Sequence, residues 1–131
     1  MLKMSLQKKI CRRLEHVTIE NRDAMDVIKT YDCSECFHFV DPPYVNSDCG
    51  HYEGLFNEMK LQVLLEMLAS IKGKFMLTMF PYKVIEDAAH EYGWHIHKIL
   101  RTISASKTER RKQEEWIIMN YSEMRAASLF G

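Results

Sequence analysis

Residues 41–44, with the sequence Asp-Pro-Pro-Tyr, combine groups that could grip and activate an amine carried by a planar ring. Two prolines fix two backbone φ angles and remove two N–H donors, and Asp41 is held extended because it precedes a proline. The turn is therefore a stiff edge of acceptors, the Asp41 carboxylate and the Pro42 carbonyl, beside the ring of Tyr44. Two N–H groups bent toward these acceptors would localise the lone pair of the amine on its nitrogen. Such a nucleophile needs a strong electrophile in line, not a strong base.

The turn follows residues 36–40, which we predict to form a β-strand because aromatic and β-branched residues dominate them. Proline ends a strand since it cannot donate to the ladder. In open α/β sheets, ligands bind at the carboxyl ends of the strands. The place of the turn therefore favours a binding site over a plain surface β-turn, in which Pro and Asp are also common.

The elements that must position the turn follow from the spacing of the apolar residues and from helix-ending residues. Helices are predicted at residues 2–15, 22–31, 57–71 and 83–92. Strands are predicted at residues 17–19, 36–40 and 74–80, before an antiparallel pair at 94–104 and 115–121 joined by a charged loop. This order predicts an α/β fold, with a mostly parallel sheet, a C-terminal antiparallel hairpin and helices packed on the sheet.

Capping residues and one apolar stripe support the helix predictions. Asp23 and Asn57 are predicted N-caps of the second and third helices, and Gly93 is predicted to end the fourth. The third helix is predicted to bury a stripe formed by four leucines, Leu61, Leu64, Leu65 and Leu68.

The composition is ordinary for a soluble globular protein of one domain. With 18 Lys and Arg against 18 Asp and Glu, the formal net charge is zero, so any nucleic-acid contact must depend on local patches. No apolar run approaches the roughly 20 residues that span a bilayer, and the N-terminal residues lack the apolar block of a secretory signal. The four cysteines occur outside a small disulfide scaffold, which favours a reducing cytoplasm.

The cysteines also raise a metal hypothesis, because Cys33, Cys36, Cys49 and His51 have zinc-like spacing. Geometry argues against it. Cys36 begins the predicted strand and Cys49 lies beyond its far end, so the two are separated by roughly 15 Å at about 3.3 Å per residue. Zinc ligands lie within about 2.3 Å of the metal, and the sequence therefore predicts no metal site.

Successive segments of the chain resemble those of Dam-like DNA adenine methyltransferases, which use S-adenosylmethionine. The Asp-Pro-Pro-Tyr turn with its strand resembles their catalytic turn, and further similar segments occur in the same order as in that family. The similar segments are "VTIENRDAMDVIKTYD", "GHY", "KGKFMLTMFP" and "ILRTISASKTERRKQEEWIIMNY", and together they cover most of residues 12–121. The resemblance implies a partial Rossmann-like methyltransferase sheet.

The same resemblance implies roles at the turn. Asp41 and the Pro42 carbonyl would hold the target amine, Pro43 would stiffen the turn, and Tyr44 would stack on an adenine rotated out of double-stranded DNA. Asp23 and Asp41 would contact the S-adenosylmethionine cofactor. A plain helix cap is an equally weighted interpretation of Asp23.

DNA contacts are implied outside the turn. Tyr52 would line the base pocket, although His51 and Tyr52 could equally be ordinary loop residues. Phosphate contacts are implied for the basic residues of the charged loop, which could also be merely solvated: Lys107, Arg110, Arg111 and Lys112.

The chain departs from the family pattern in one respect that matters for its organisation. The Gly-rich cofactor turn of such enzymes does not occur, because none of the five glycines follows a strand and opens a helix. The expectation is one incomplete catalytic domain over residues 1–131, with a helical lead-in at 1–16, matched segments at 17–121 and a tail at 122–131. The missing half could reside in a complementing N-terminal polypeptide. The alternative is a catalytically silent remnant that binds DNA or a protein partner.

An incomplete sheet would leave the strand at residues 36–40 with an open edge, and an open apolar edge promotes association. We expect either that the strand at residues 17–19 pairs with it or that a second copy covers it in a homodimer. The residues "LTMFP" that end the next strand also depart from the polar pattern of relatives, so no contact is assigned to Met79 or Phe80.

Overall fold

A computed structural model of the chain describes residues 5–45, 56–106 and 109–122, with the backbone alone described at residues 103–106 and 109–111. The described helices are α1 (Leu6–Leu14), α2 (Ala24–Tyr31), α3 (Glu58–Ser70) and α4 (Lys83–Tyr92). The described strands are β1 (Phe37–Val40), β2 (Lys74–Met79), β3 (His95–Ser106) and β4 (Glu109–Met119).

The four described strands form one sheet in the order β1-β2-β4-β3. β1 runs parallel to β2, whereas β4 is antiparallel to both β2 and β3. The predicted α/β fold with a C-terminal antiparallel hairpin is confirmed. The expectation of a mostly parallel sheet holds for the β1–β2 pair alone, because the hairpin joins the sheet through β4.

Local signals set the ends of three helices. Asp23 Oδ1 accepts a hydrogen bond from the Met25 N–H at 2.9 Å, and Asn57 Oδ1 accepts one from the Lys60 N–H at 2.9 Å. α4 ends at Gly93, whose φ of 69° lies in the left-handed region that glycine tolerates. Both predicted N-caps and the predicted end of α4 are confirmed.

The core lies between α3, α4 and the sheet. β2 alternates buried and less buried side chains, and its buried residues are Phe75, Leu77 and Met79. The predicted leucine stripe of α3 is confirmed, because all four leucines join these residues in one buried cluster with Trp116 and Ile118 of β4. α1, in contrast, buries none of its residues.

The predicted strand at residues 17–19 is wrong. This segment has no regular secondary structure, and Val17 and Ile19 are 53% and 89% exposed. Three β-branched residues do not make a strand unless a neighbour supplies hydrogen bonds and a surface to pack on. The expectation that this segment covers the open edge therefore fails, and β1 pairs with β2 alone among the described strands. Coverage by a second copy stays a prediction.

The predicted charged loop at residues 105–114 is also wrong for most of its length. β3 continues to Ser106 and β4 begins at Glu109, with Thr102 opposite Lys112 and Ser104 opposite Arg110. β2 pairs with β4 only from Trp116 to Met119, so the polar half of the hairpin extends beyond the sheet as a two-stranded ribbon. Residues 105–114 lack the alternation of apolar and polar residues that predicts a strand, so their sequence favours a loop.

A tight corner joins the end of α2 to the start of β2. The Asp32 carboxylate accepts hydrogen bonds from the N–H groups of Lys72 at 2.7 Å and Gly73 at 3.0 Å, and His38 Nε2 lies 3.0 Å away. The hydrogen bond from the Lys72 N–H is the main cause that lowers the pKa of Asp32. Hydrogen bonds from His38 and the Gly73 N–H lower it further. These contacts fix where β2 begins relative to the end of α2.

Gly73 leaves no space for a side chain at this corner. A Cβ there would lie 2.6 Å from the Cys36 carbonyl oxygen and 2.9 Å from that of Cys33. We expect Gly73→Ala to lower the free energy of unfolding by about 1–3 kcal/mol, because backbone atoms would have to shift. Urea denaturation measures this. Gly93→Asn is the matched control, since open space surrounds Gly93 and Asn tolerates positive φ. An equal loss in both variants would contradict the conclusion that Gly73 lacks space for a side chain.

Candidate functional site

The turn at residues 41–44 begins directly after β1, where β2 runs alongside. Val40 lies opposite Leu77, so Asp41 comes beside Thr78. The Thr78 hydroxyl donates a hydrogen bond of 2.8 Å to Asp41 Oδ1. The Asp41 carboxylate is exposed but held in place, because a neighbouring strand anchors one of its oxygens.

Residues from distant parts of the chain hold the ring of Tyr44. It stacks on Phe80, with ring centroids 3.8 Å apart and an interplanar angle of 5°. Its hydroxyl donates a hydrogen bond of 2.6 Å to Oε1 of Glu115 on β4. This bond, with partial burial and the Glu115 and Asp41 charges, raises the pKa of Tyr44 to about 12, although Arg101 opposes the shift.

A cavity of about 720 Å³ opens beside the turn, between β1 and α2. Asp23, at the start of α2, and Asp41, at the end of β1, both line it, together with both prolines of the turn. Its remaining lining is mainly apolar: Met25, Val27, Ile28, Val40, Phe56 and Leu64, with Phe37 and Phe39. A volume in this range accommodates a ligand of cofactor size. The structure thus brings the two predicted cofactor-binding aspartates to one cavity, while Tyr44 lies outside its lining.

The structure describes only part of the predicted DNA-contacting set. Tyr52 and Lys107 lie outside the described residues, as do His51 and Cys49. The backbone of Arg110 and Arg111 belongs to β4 in the ribbon, and Lys112 beside them is exposed. Their roles stay predictions.

No site role was predicted from the sequence for Thr78, Phe80 or Glu115. Thr78 and Phe80 stand at the end of the strand that neighbours the turn, where side chains of a site converge. Glu115 begins the apolar run "EWIIM", and an acid at the start of a predicted strand is a weak signal. None of these positions indicates its partner, because the contacts cross 36 to 71 residues of sequence.

Two cysteines of the predicted zinc-like set have a different partner in the structure. Cys33 and Cys36 are joined by a disulfide, with their Cα atoms 5.1 Å apart, a separation typical of such bonds. The turn after α2 brings them together. No group of three or more metal-ligating side chains occurs in residues 5–45, 56–106 and 109–122. The cytoplasmic localisation stays a prediction.

Within the described part of the chain, no helix has both the length and the apolar character needed to cross a membrane.

Comparison with protein families connects this geometry to a known group. The family model described as D12 class N6 adenine-specific DNA methyltransferase matches residues 2–103, from α1 through most of β3. No curated protein and no solved structure matches the chain. The matched region includes the turn, both cavity aspartates and the Thr78–Phe80 strand end, whereas β4 lies beyond it.

Proposed function

This chain belongs to the D12 class N6 adenine-specific DNA methyltransferases, and we propose that its turn at residues 41–44 holds the adenine amine that such enzymes methylate. The observation that carries the proposal is the Asp41 carboxylate, which is exposed at the rim of the cavity and anchored by Thr78. An acceptor held in advance loses little conformational freedom when the amine binds.

Asp41 and the Pro42 carbonyl are the acceptors that we assign to the two N–H groups of the amine. Thr78 uses Oδ1 of Asp41, and a carboxylate has about four lone-pair sites, so Asp41 retains the capacity to accept from adenine. Directing the N–H groups toward acceptors localises the lone pair on nitrogen. Asp41 then stabilises the positive charge that develops on the amine and need not be a strong base, because the amine loses its proton only after alkylation.

Tyr44 is the residue on which we propose that the target adenine stacks. An adenine must leave the DNA duplex to be methylated at its amine, and this costs a few kcal/mol. Stacking on an aromatic ring recovers about 1–3 kcal/mol. Phe80 already stacks on the Tyr44 ring, with centroids 3.8 Å apart, so the base would extend an existing aromatic pair.

The cavity between β1 and α2 is where we propose that S-adenosylmethionine binds. S-adenosylmethionine supplies a methyl group on a positively charged sulfur. The lining fits this chemistry, because the carboxylates of Asp23 and Asp41 can face a cation and hydrogen-bond donors while the apolar residues can enclose a flat ring. Asp23 caps α2 through Oδ1, so its second oxygen is the one assigned to the ligand.

Double-stranded DNA is the proposed partner, and the β3–β4 ribbon supports this proposal. Arg110, Arg111 and Lys112 belong to β4, and Lys107 precedes that strand in the sequence. A two-stranded antiparallel ribbon is narrow enough to enter a DNA groove. Phosphate contacts of this kind would make DNA binding sensitive to salt. Tyr52 is proposed to line the base pocket.

One edge of β1 pairs with no other described strand, and the cofactor cavity lies beside β1. Phe37 and Phe39 of this strand are exposed. We propose that a segment carrying a Gly-rich cofactor turn packs against this edge and closes the cavity. A complementing polypeptide could supply that segment, while a homodimer would cover the edge without it.

Two measurements on the same preparations test these proposals. The chain is mixed with adenine-containing duplex DNA and S-adenosylmethionine labelled in its methyl group, with and without a polypeptide that bears the Gly-rich turn. We expect label to enter DNA in the mixture, and calorimetry to find cofactor affinity weaker than about micromolar for the chain alone. Micromolar affinity of the chain alone would contradict the need for a second segment. Absence of transfer in both preparations would favour the silent remnant.

A further inference from the structure

Glu115 is the one buried charged residue in the described part of the chain, with 6% of its surface exposed. It lies on β4, beyond the region that the family model matches. Burying a carboxylate is costly unless the charge is paired and both oxygens are hydrogen-bonded. The partners of Glu115 therefore indicate why an acid occupies this position.

Both carboxylate oxygens of Glu115 are engaged. Oε1 accepts the hydrogen bond from the Tyr44 hydroxyl at 2.6 Å, and Oε2 lies 2.7 Å from Nε of Arg101. Glu115 stands opposite Ile99 on β3, and Arg101 is two residues further along, so it extends from the same face of the sheet. Arg101 compensates the buried charge, and the Tyr44 hydroxyl satisfies the other oxygen.

We propose that Glu115 is a positioning residue, which holds the ring of Tyr44 in the orientation that receives the target base. This inference rests on the proposed function. Phe80 sets the plane of the Tyr44 ring, and Glu115 fixes the direction in which its hydroxyl points within that plane. A ring restrained before the base arrives loses less side-chain entropy on stacking.

The hydroxyl of Tyr44 gives a direct readout of this contact. The pKa of Tyr44 is about 12 in the intact chain, with the Glu115 hydrogen bond as its first cause. An unperturbed tyrosine has a pKa of about 10. Loss of the contact should therefore move the Tyr44 pKa down toward this ordinary value, although burial and the Asp41 charge still raise it.

The experiment follows the ring carbons of labelled tyrosine by NMR in the full chain as the pH is raised. Tyr44→Phe identifies the Tyr44 signal. In Glu115→Gln we expect this signal to titrate at lower pH, because the amide can still accept the hydrogen bond but lacks the charge that raises the Tyr44 pKa. Glu114→Gln, one residue away on the same strand, should leave the signal unchanged. An unchanged Tyr44 titration in folded Glu115→Gln would overturn the proposal.

A second variant keeps the test decisive if Glu115→Gln fails to fold. Arg101 is 67% exposed, and its charge lowers the pKa of Tyr44. Arg101→Gln keeps the Glu115 carboxylate and its hydrogen bond to Tyr44, and it should raise the Tyr44 pKa further because the positive charge that lowers it is removed. A fall or no change in the Tyr44 pKa in this variant would contradict the arrangement.

A double-mutant cycle on methyl transfer, measured in the mixture with the polypeptide that bears the Gly-rich turn, connects the contact to the reaction. Glu115→Gln should lower methyl transfer about tenfold, and adding it to Tyr44→Phe should produce little further loss, because Glu115 acts through the hydroxyl that Phe lacks. An equal loss in both backgrounds would show that Glu115 acts elsewhere. The NMR titration needs no methyl transfer, so failure of the positioning contact and failure of the proposed function are distinguishable.

Discussion

Replacing Asp41 by alanine is expected to lower kcat for methyl transfer to adenine by about 10²–10³-fold. The carboxylate is proposed both to orient the amine and to stabilise its developing charge, and removal of one preorganised polar group of this kind has effects of that size. The transfer is measured in the mixture with the polypeptide that bears the Gly-rich turn, as labelled methyl incorporated into duplex DNA over time at several DNA concentrations. Because the proposed contact strengthens as charge develops, kcat should fall more than KM rises.

Two further variants separate this role from a general loss of structure. Asp87→Ala removes an exposed carboxylate that pairs with Lys83 on α4, and it should leave methyl transfer within about twofold. Thr78→Val removes the hydroxyl that anchors Asp41 and should lower transfer by about tenfold, since the carboxylate remains but is less well oriented. Transfer by folded Asp41→Ala at a rate close to that of the intact protein would refute the assignment of the turn.

Replacing Phe75 by alanine is expected to lower the free energy of unfolding by about 3–5 kcal/mol. Phe75 has no exposed surface, and its ring meets Trp94 edge-on with centroids 4.9 Å apart. It belongs to the buried cluster that contains residues of α3, β2 and β4, so truncation leaves a cavity in the core. A domain of this size has about 5–15 kcal/mol of stability in total, and much of it would be lost.

Guanidinium or urea denaturation measures the effect of Phe75→Ala, with Phe39→Ala as the matched control. Phe39 is also a strand phenylalanine, on the neighbouring β1, but it is 62% exposed and should cost less than about 0.5 kcal/mol. Similar losses in the two variants would mean that the sheet face carrying Phe75 is not the core.

Several features of the fold are predictable from the sequence because the interactions that cause them are local. The Asp23 and Asn57 side chains cap helices through backbone groups two and three residues away. Gly93 ends α4 through its own backbone conformation. The prolines after Val40 likewise end β1 without reference to any distant residue. The leucine stripe of α3 is also recognisable, since its period is that of a single helix.

The secondary structure predicted from the sequence is wrong where a strand depends on a partner strand. Residues 17–19 have β-branched side chains but no neighbour to pair with, and they form no strand. The reverse error concerns the ribbon, where residues 109–114 are polar but become strand because residues 100–106 lie alongside them. Hydrogen bonding between strands depends on which segments pair in the fold, and the local sequence pattern does not show which segments pair.

The sequence by itself determined the chemistry of the turn, because two prolines and an acid impose a stiff edge of acceptors wherever they occur. Only the tertiary structure decided how that edge is held and what lies beside it. Thr78 reaches Asp41 across 37 residues, and Glu115 reaches Tyr44 across 71. The cavity that joins Asp23 to Asp41 likewise exists only because α2 packs beside β1. The difference is physical: backbone restraints act within a few residues, while the placing of side chains against each other depends on the packing of the whole sheet.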